Sequence, residues 1–366
     1  MPKKIKLILS IISFLIVVSF LSFSKTISVA VIEGLVVCKN ILIPSMFVFL
    51  IISEFFYKTN ALDYILKPFS FLCEKLFRVD RKIGPVLFFS LICGYPAGAN
   101  LIKELIEDKK INIKTANRLL YFCINAGPSF LIGGVSIPIT NDISLGIVLL
   151  IAQTITFFIV GILSSIGEPI EKINIIKKEK NKIANAMVSS MKNSIKNMAI
   201  ICGFSVFFSA IVNFVFNLNF LNINSHFYLK PLFAGFLEVT NGIMQCNQIN
   251  NINTFLIIVL ITSFGGICVH FQIMSILSKY KISFKNFYIW RILYCIINIT
   301  IATLIFTKFA VPVSYFFQKI PKYNILIHKP IISISLVILS ILLLCCEKKI
   351  TIIKKKLFKK NLEKIK

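Results

Sequence analysis

Two apolar stretches of this chain are interrupted by glycine, proline and hydrogen-bonding side chains, at residues 89–99 (FSLICGYPAGA) and 235–242 (GFLEVTNG). In lipid every backbone N–H and C=O group needs a hydrogen-bond partner, so irregular backbone at membrane depth survives only inside protein or beside a polar cavity. Breaks in corresponding places of two halves are typical of secondary transporters and point to the substrate site. These breaks restrict the fold more than any other feature of the sequence.

The composition is that of a polytopic membrane protein. Hydrophobic residues make up 57% of the 366 residues and charged residues 15%, which leaves too little polar surface for a water-soluble protein of this length. The formal net charge of +26 comes from lysines that collect in short loops and at both ends. That pattern indicates positive-inside topology and contact with anionic lipid, and no basic face of a soluble domain suggests nucleic acid as a partner.

Other features exclude several classes of protein. The ten cysteines lie singly in apolar runs, apart from the adjacent Cys345 and Cys346, and no spacing suggests a metal site. No Walker A, Ser-His-Asp or metal-binding pattern is present. We therefore expect no enzyme activity, no metal and no cofactor other than a coupling proton or sodium ion. The N-terminal apolar run is longer than the core of a signal peptide and predicts a first membrane helix.

Apolar segments of membrane-spanning length, about 17–25 residues each, predict about eight crossings. They are residues 5–24, 40–57, 118–139, 142–165, 197–217, 254–276, 286–307 and 330–346. Two further stretches, 84–102 and 229–249, carry the glycine-rich breaks. If both enter the membrane and return to the side of entry, both termini and every basic loop except 308–329 fall in the cytoplasm. The predicted fold is an all-α polytopic membrane protein with about eight transmembrane helices and two re-entrant helical hairpins.

This topology makes residues 84–165 and residues 229–307 a first and a second gate repeat, each with a re-entrant hairpin, a broken helix and a further helix. The two units start on opposite sides of the membrane, so the repeat is inverted, as in many secondary transporters. The remaining parts are residues 1–83, with N-terminal transmembrane helices and an interfacial segment, residues 166–228, with a basic cytoplasmic loop and a linking helix, and residues 308–366, with a C-terminal helix and a basic tail.

The spacing of glycines and amides agrees with a repeat. The hairpin tip and the later helix break are 33 residues apart in the first half and 30 residues apart in the second. Each third helix also carries an amide near its middle, Gln153 in the first half and Asn298 in the second. The match between the halves is one of geometry, with little residue identity.

In the first half, candidate substrate-binding residues lie at the hairpin tip and at the sequence NAGPSF, residues 125–130. Proline removes a helical donor there and glycine loosens the backbone. The alternative is a kink packed by a neighbouring helix, with Gly94 and Gly98 as a GxxxG packing motif. The candidates are Gly94, Tyr95, Gly98, Asn125, Gly127 and Ser129.

In the second half, Glu238 is the only carboxylate of its apolar stretch. A charge at membrane depth costs roughly 3 to over 10 kcal/mol, which favours a role in binding a coupling cation, a proton or the substrate, and an interfacial position with water access is the alternative. His270 suits either a backbone carbonyl or a substrate. Arg291 is predicted to be a snorkelling interfacial cation. The candidates are Glu238, Thr240, Asn241, Gly265, Gly266, His270 and Gln272.

Four motifs together resemble the sporulation integral membrane protein YlbJ family. They are GYPAGA at 94–99, NAGPSF at 125–130, LEVTNG at 237–242 and FGGICVHFQ at 264–272. That family is similar to the nucleoside-recognition gate proteins and, more distantly, to concentrative nucleoside transporters. The resemblance covers roughly residues 30–310. It implies movement of dipicolinate, a small aromatic dicarboxylate, across the outer forespore membrane of a spore-forming bacterium.

The leading hypothesis is a secondary transporter or facilitator of a small aromatic anion, with its site between the hairpin tips and the helix breaks. Backbone N–H groups at glycine-rich tips suit a planar dianion. Glu238 would repel that dianion unless it is protonated or holds a cation, and it suits a nucleoside hydroxyl without such help. A nucleoside transporter and a non-transporting membrane scaffold for sporulation stay open as alternatives. Anionic lipid is an expected partner, and a homo-oligomer is left open.

Overall fold

The computed structural model describes residues 3–61, 70–170, 183–218, 228–246 and 252–308. The regular elements in these ranges are helices. This confirms the prediction of a helical polytopic membrane protein, while the total number of helices and the inverted repeat stay predictions. The predicted span at 330–346 lies outside the described residues.

The helices of the described ranges are numbered here in chain order. In order they are α1 Lys3–Ser22, α2 Ser24–Val37, α3 Ile43–Lys58, α4 Ser70–Phe77, α5 Gly84–Cys93, α6 Tyr95–Glu107, α7 Ile113–Cys123, α8 Ile137–Thr140, α9 Ser144–Leu163, α10 Ile183–Asn217, α11 Leu229–Leu237, α12 Val239–Gln245, α13 Ile252–Phe264, α14 Gly266–Ile276 and α15 Phe284–Lys308. Two π-helical turns, Cys38–Leu42 and Phe130–Ser136, and one 3₁₀ turn, Arg81–Ile83, lie between them.

Five helical segments of the described residues are long and apolar enough to cross a membrane. They are Ser24–Lys58, Ser144–Leu163, Ile183–Asn217, Ile252–Ile276 and Phe284–Thr307. The first joins α2 and α3 through a π-helical turn, so the span predicted at 40–57 begins near residue 24. Likewise α10 begins at Ile183 and not near residue 197.

The predicted crossing at 118–139 is not one continuous helix. Helix α7 begins earlier, after Asn112, whose side chain caps it by accepting a hydrogen bond of 2.7 Å from the Thr115 N–H. It ends at Cys123, and a π-helical turn resumes at Phe130. Pro128 explains the gap, because it lacks an N–H group and disfavours helical geometry at the preceding residue.

The two hairpins turn in different ways. Helices α5 and α6 join at Gly94, whose φ of +89° favours glycine. Helices α11 and α12 join at Glu238, which is extended at φ −142° and ψ 120°. Helices α13 and α14 are separated by Gly265, with φ +87°. Each sequence-predicted break therefore exists, but the second hairpin turns at a carboxylate and not at a glycine.

Aromatic packing holds α4 in place, and an exposed apolar face of α15 suits contact with lipid. Phe77 of α4 lies 5.1 Å from Phe122 of α7 and 5.5 Å from Phe157 of α9 between ring centroids, which attaches α4 to these two helices. On α15 the exposed side chains Ile292 and Ile296 share one face at helical spacing. Lipid solvates such an apolar face without cost, whereas water does not.

Candidate functional site

The tip of the first hairpin packs against the break of the following helix. A Cβ atom on Gly94 would lie 3.3 Å from the Gly127 nitrogen. One turn on, a Cβ atom on Gly98 would lie 2.3 Å from the carbonyl oxygen of Cys123, so only glycine fits at that position. The packing interpretation of Gly98 is therefore supported, and both glycines hold hairpin and break in direct contact.

Gln153 satisfies the backbone of the first break. Its Oε1 accepts a hydrogen bond of 3.1 Å from the Ala126 N–H, and its Nε2 donates one of 2.8 Å to the Ala126 carbonyl. Gln153 is 3% exposed and lies on α9. One amide thus replaces the two helical bonds that Ala126 lacks, which removes the cost of leaving buried backbone groups unpaired.

Asn125 and Ser129 differ in how far their side chains are engaged. Asn125 is 1% exposed, and its Nδ2 donates a 2.5 Å hydrogen bond to the Phe122 carbonyl. Its Oδ1 is buried and accepts no hydrogen bond from the described residues. The Ser129 hydroxyl donates to the Ser45 carbonyl of α3. Asn125 therefore keeps one acceptor free, while Ser129 fastens the break to α3.

The second break is in contact with both hairpins. The Tyr95 hydroxyl, from the tip of the first hairpin, donates a 2.5 Å hydrogen bond to the Thr262 carbonyl, and the Tyr95 ring lies against Gly265. On the other side, a Cβ atom on Gly266 would lie 3.2 Å from the Gly235 carbonyl oxygen and 3.3 Å from that of Leu237. The second break therefore joins the two halves.

Arg291 corrects the prediction of a snorkelling interfacial cation, because it is 1% exposed. Its Nε donates a 2.9 Å hydrogen bond to the Phe264 carbonyl and its Nη1 a 2.6 Å bond to the Ile124 carbonyl. The guanidinium also lies 4.9 Å from the centre of the Tyr294 ring. Arg291 thus bridges the two helix breaks, and within the described residues no carboxylate forms an ion pair with it.

His270 and Gln272 follow the second break on α14. The His270 Nε2 lies 3.0 Å from the same Phe264 carbonyl, so this nitrogen donates. Its Nδ1 is buried without a hydrogen-bond partner among the described residues. The Gln272 Nε2 donates a 3.3 Å hydrogen bond to the Cys268 sulfur within the same helix. The structure therefore gives His270 the backbone contact that the sequence allowed, and leaves its second nitrogen free.

Glu238 caps α12 and lies on the side of α10. The carboxylate is 4% exposed and accepts a 2.7 Å hydrogen bond from the Asn241 N–H, as an N-cap residue does. The Asn241 Nδ2 donates a 2.7 Å bond to the Ser209 hydroxyl of α10. Thr240, next in sequence, is 1% exposed. Within the described residues Glu238 makes no ion pair. The hydrogen bond from the Asn241 N–H and the partial positive charge of the helix N-terminus offset part of the cost of burying this carboxylate.

The predicted residues therefore fall into groups. One set forms a continuous contact zone of hairpin tips and helix breaks, comprising Gly94, Tyr95, Gly98, Asn125, Gly127, Gly265, Gly266 and His270. Glu238 and Asn241 face α10, with Thr240 between them in sequence; Ser129 bonds α3, and Gln272 bonds within its own helix.

Sequence reasoning missed the bridging role of Arg291 and the carboxylate Glu54. Glu54 lies inside the span predicted at 40–57 and is 9% exposed. It forms an ion pair of 2.6 Å with Lys58. The cost argument applied to Glu238 applies equally to a carboxylate inside that span, and it could have drawn attention to Glu54.

Comparison with known proteins agrees with the motifs. The chain is 25% identical over 330 residues to the sporulation integral membrane protein YlbJ of Bacillus subtilis strain 168, and the alignment covers 78% of this chain and 80% of that protein. This similarity confirms the family resemblance that the four motifs predicted. No family model matches the chain, and no solved structure matches it.

Proposed function

We propose that this chain, a relative of YlbJ, is a sporulation membrane protein that carries dipicolinate, a small aromatic dicarboxylate, across the outer forespore membrane. It acts as a secondary transporter or facilitator and not as an enzyme. The similarity to YlbJ supports the role in sporulation. The convergence of the hairpin tips and helix breaks on one contact zone is the observation that carries the transport part of the proposal.

The contact zone runs without interruption from one half to the other. Gly94 touches the first break at Gly127, Tyr95 touches the second break at Gly265, and Arg291 bonds carbonyls of both breaks. Irregular backbone in lipid is tolerated where it is buried in protein or lines a site, and transporters use such broken helices to bind substrate. A structural kink alone does not require hairpins of both halves to meet at the same place.

The charge of the contact zone suits an anion. Helices α6 and α14 begin at Tyr95 and Gly266, and a helix N-terminus carries a partial positive charge. Arg291 adds a full positive charge that the described carboxylates leave unpaired. A guanidinium is the side chain best suited to bind a carboxylate, because its donors match the two carboxylate oxygens. Arg291 thus supplies the cation that the sequence-predicted residues lacked.

The two halves share features that support the inverted gate repeat. In each half the hairpin tip packs against the break of the following helix, through Gly94 and Gly127 in the first and through Leu237 and Gly266 in the second. A repeat of this kind provides alternating access when one unit moves against the other around a central site.

A nucleoside is the second candidate substrate, and a specific observation favours it. The Asn125 Oδ1 and the His270 Nδ1 are buried acceptors without partners among the described residues. A dianion has no donor to offer them, whereas nucleoside hydroxyl and amino groups do. Bound water or a coupling proton or sodium ion would satisfy the same atoms in a dicarboxylate carrier.

Uptake of labelled dipicolinate into liposomes that contain the purified protein tests the proposal. We expect saturable uptake that unlabelled dipicolinate blocks and that uridine and adenosine leave unchanged. Inhibition by nucleosides, together with uptake of labelled uridine, would transfer the proposal to a nucleoside. Absence of uptake of either substrate under imposed proton and sodium gradients would favour a non-transporting scaffold.

A further inference from the structure

A polar cavity of about 300 Å³ lies away from the contact zone, between α3, α6, α10 and the end of α14. Its volume falls at the lower end of the roughly 300–1,000 Å³ of small-molecule sites. Asn100 and Glu104 of α6 and Ser275 of α14 are among its lining residues. Helix α6 begins at the first hairpin tip, at Tyr95, and α14 begins at the second break, at Gly266, so the cavity lies further along helices that start at the proposed substrate site.

Two carboxylates, Glu54 in the cavity lining and Glu107 beside it, already have ion-pair and hydrogen-bond partners. The Glu54 carboxylate forms the 2.6 Å ion pair with Lys58 and also accepts a hydrogen bond from the Asn193 side chain. The Glu107 carboxylate lies 3.7 Å from the Lys103 ammonium and accepts a 3.0 Å hydrogen bond from the Tyr280 hydroxyl. A bound cation would therefore have to displace existing partners from these carboxylates.

Donors at the cavity remain free. Lys196 and Lys279 line it, and neither makes an ion pair or hydrogen bond to the residues that the structure describes. Asn100 also lines the cavity, and its Nδ2 is buried without a hydrogen-bond partner among the described residues. A buried donor without a partner costs about 1–3 kcal/mol, so a ligand with acceptor atoms is favoured. Two ammonium groups in addition favour an anion.

Glu104 is the remaining carboxyl group of the cavity lining. It lies beyond the apolar stretch 84–102. Burial raises its pKa, and the neighbouring carboxylates of Glu54 and Glu107 raise the pKa further, against the opposing effect of Lys58 and Lys103. A raised pKa means that Glu104 holds a proton at a higher pH than a free glutamate does. In that form it donates a hydrogen bond to an anion and does not repel it.

We propose that this cavity is a loading site for a small planar dicarboxylate, in which Lys196 and Lys279 pair with its carboxylates and Asn100 donates a hydrogen bond. The proposal rests on the proposed function, since it places the same class of substrate at an earlier position on its path. Electrostatic attraction by the lysines raises the local concentration of the anion near the breaks.

Equilibrium dialysis of the purified full chain in neutral detergent, with labelled pyridine-2,6-dicarboxylate as the probe, tests the loading site. The double variant Lys196→Gln and Lys279→Gln removes two positive charges from the cavity. We expect it to weaken binding by about tenfold or more, as the loss of charged hydrogen bonds predicts. The matched control is the double variant Lys192→Gln and Lys281→Gln. These lysines are exposed, as Lys196 and Lys279 are, but they do not line the cavity. The proposal would be overturned if both double variants weakened binding equally, or if the Lys196→Gln and Lys279→Gln variant left binding unchanged.

Two further arms identify the anion and the role of Glu104. Inorganic phosphate and glycerol phosphate compete only weakly if the site prefers a dicarboxylate, and competition equal to that of unlabelled probe would assign the cavity to lipid headgroups instead. Glu104→Gln removes the charge at all pH values. We expect wild-type binding to tighten as the pH falls towards the raised pKa of Glu104, and the variant to lose this dependence. A pH dependence unchanged in Glu104→Gln would contradict the assigned role.

Uptake into liposomes separates failure of the loading site from failure of the proposed function. If wild-type protein transports the dicarboxylate and the Lys196→Gln and Lys279→Gln variant has an unchanged KM, the loading site is wrong and the transport function stands. If the wild type neither binds nor transports the probe, both proposals fail. A raised KM at unchanged kcat is the result that the loading site predicts.

Discussion

The two helix breaks are stabilised by different kinds of side chain. At the first break, the neutral amide of Gln153, from the same half of the chain, pairs with both backbone groups of Ala126. At the second break, the Phe264 carbonyl accepts hydrogen bonds from both Arg291 and His270, and Tyr95 of the opposite half donates to the Thr262 carbonyl two residues earlier. Each break also has one contact from the opposite half, Arg291 on the Ile124 carbonyl at the first and Tyr95 on the Thr262 carbonyl at the second. The breaks therefore differ in the side chains of their own half, an amide that pairs with two backbone groups in one and two donors that share one carbonyl in the other, and they should respond differently to the loss of those side chains.

The largest loss of stability is expected at Arg291, because its guanidinium donates to a carbonyl of each break. Arg291→Met leaves the Ile124 carbonyl without a donor and the Phe264 carbonyl with His270 alone. Because two hydrogen bonds from a charged group are lost, each worth about 1.5–3 kcal/mol, we expect a loss of stability of about 3 kcal/mol and loss of transport. The measurement is thermal unfolding of the purified protein in detergent.

Lys285→Met on the same helix is the control for Arg291→Met, since Lys285 is exposed. This control should unfold within about 0.5 kcal/mol of wild type. Equal stability of the two variants would show that Arg291 does not hold the breaks together. Arg291→Lys keeps the charge but lacks the planar fork, so it should recover only part of the stability.

The next largest effect is expected at Gln153. Gln153→Leu leaves the N–H and the carbonyl of Ala126 unpaired inside the protein, which should cost about 2–3 kcal/mol. Gln153→Glu keeps an acceptor for the N–H but cannot donate in its charged form. A denaturation series of wild type and the two variants measures these costs. Wild-type stability of Gln153→Leu would mean that the break finds other partners.

A smaller effect is expected at Asn298, the corresponding amide of the second half. Its Nδ2 donates a 2.6 Å hydrogen bond to the Ser263 hydroxyl, and its Oδ1 accepts one of 3.0 Å from Thr156. Both hydroxyls also bond carbonyls of their own helices, so they keep a partner when Asn298 is lost. Asn298→Leu should therefore cost about 1 kcal/mol in the same unfolding assay. A cost larger than that of Gln153→Leu would reverse the comparison.

The smallest effect is expected at the surface, where Lys114 near the start of α7 lies 2.8 Å from the Glu168 carboxylate. The hydrogen bond from Lys114, together with its charge, lowers the pKa of Glu168. A lowered pKa in the folded state stabilises the protein above the unfolded pKa, and this stability is lost as the pH falls through the folded value. The pair is exposed, so the effect is a few tenths of a kcal/mol. Lys114→Gln should flatten the acid side of a plot of Tm against pH, and an unchanged acid side would contradict the assignment.

The positions of the breaks could be predicted from the sequence because their signals are local. Gly94, Pro128 and Gly265 each change the backbone where they stand, through a positive φ or a missing N–H. Glu238 was also recognised as an unusual carboxylate, although its role as a helix cap depends on the extended backbone that precedes α12. Local chemistry therefore sufficed to place the irregular segments.

The contacts between the breaks could not be predicted, because they join distant parts of the chain. Arg291 bonds a carbonyl 167 positions away, and a backbone carbonyl leaves no mark in the sequence. A cation near the start of an apolar helix is usually interfacial, and tertiary packing overrides that rule here. The early start of α10 at Ile183 was missed for a different reason, because its first turns are too polar to fit a membrane-spanning pattern.

Site variants in the uptake assay test whether substrate binds where the hairpin tips and helix breaks meet. Asn125→Ala, Asn241→Ala and Glu238→Gln should be compared with wild type at equal protein content in the liposomes. We expect Asn125→Ala, inside the contact zone, to raise the KM for dipicolinate or abolish uptake, and Asn241→Ala, which faces α10 beside that zone, to have a smaller effect of the same kind. Glu238→Gln should change the dependence on the proton or sodium gradient. Wild-type uptake by Asn125→Ala at normal expression would contradict the site.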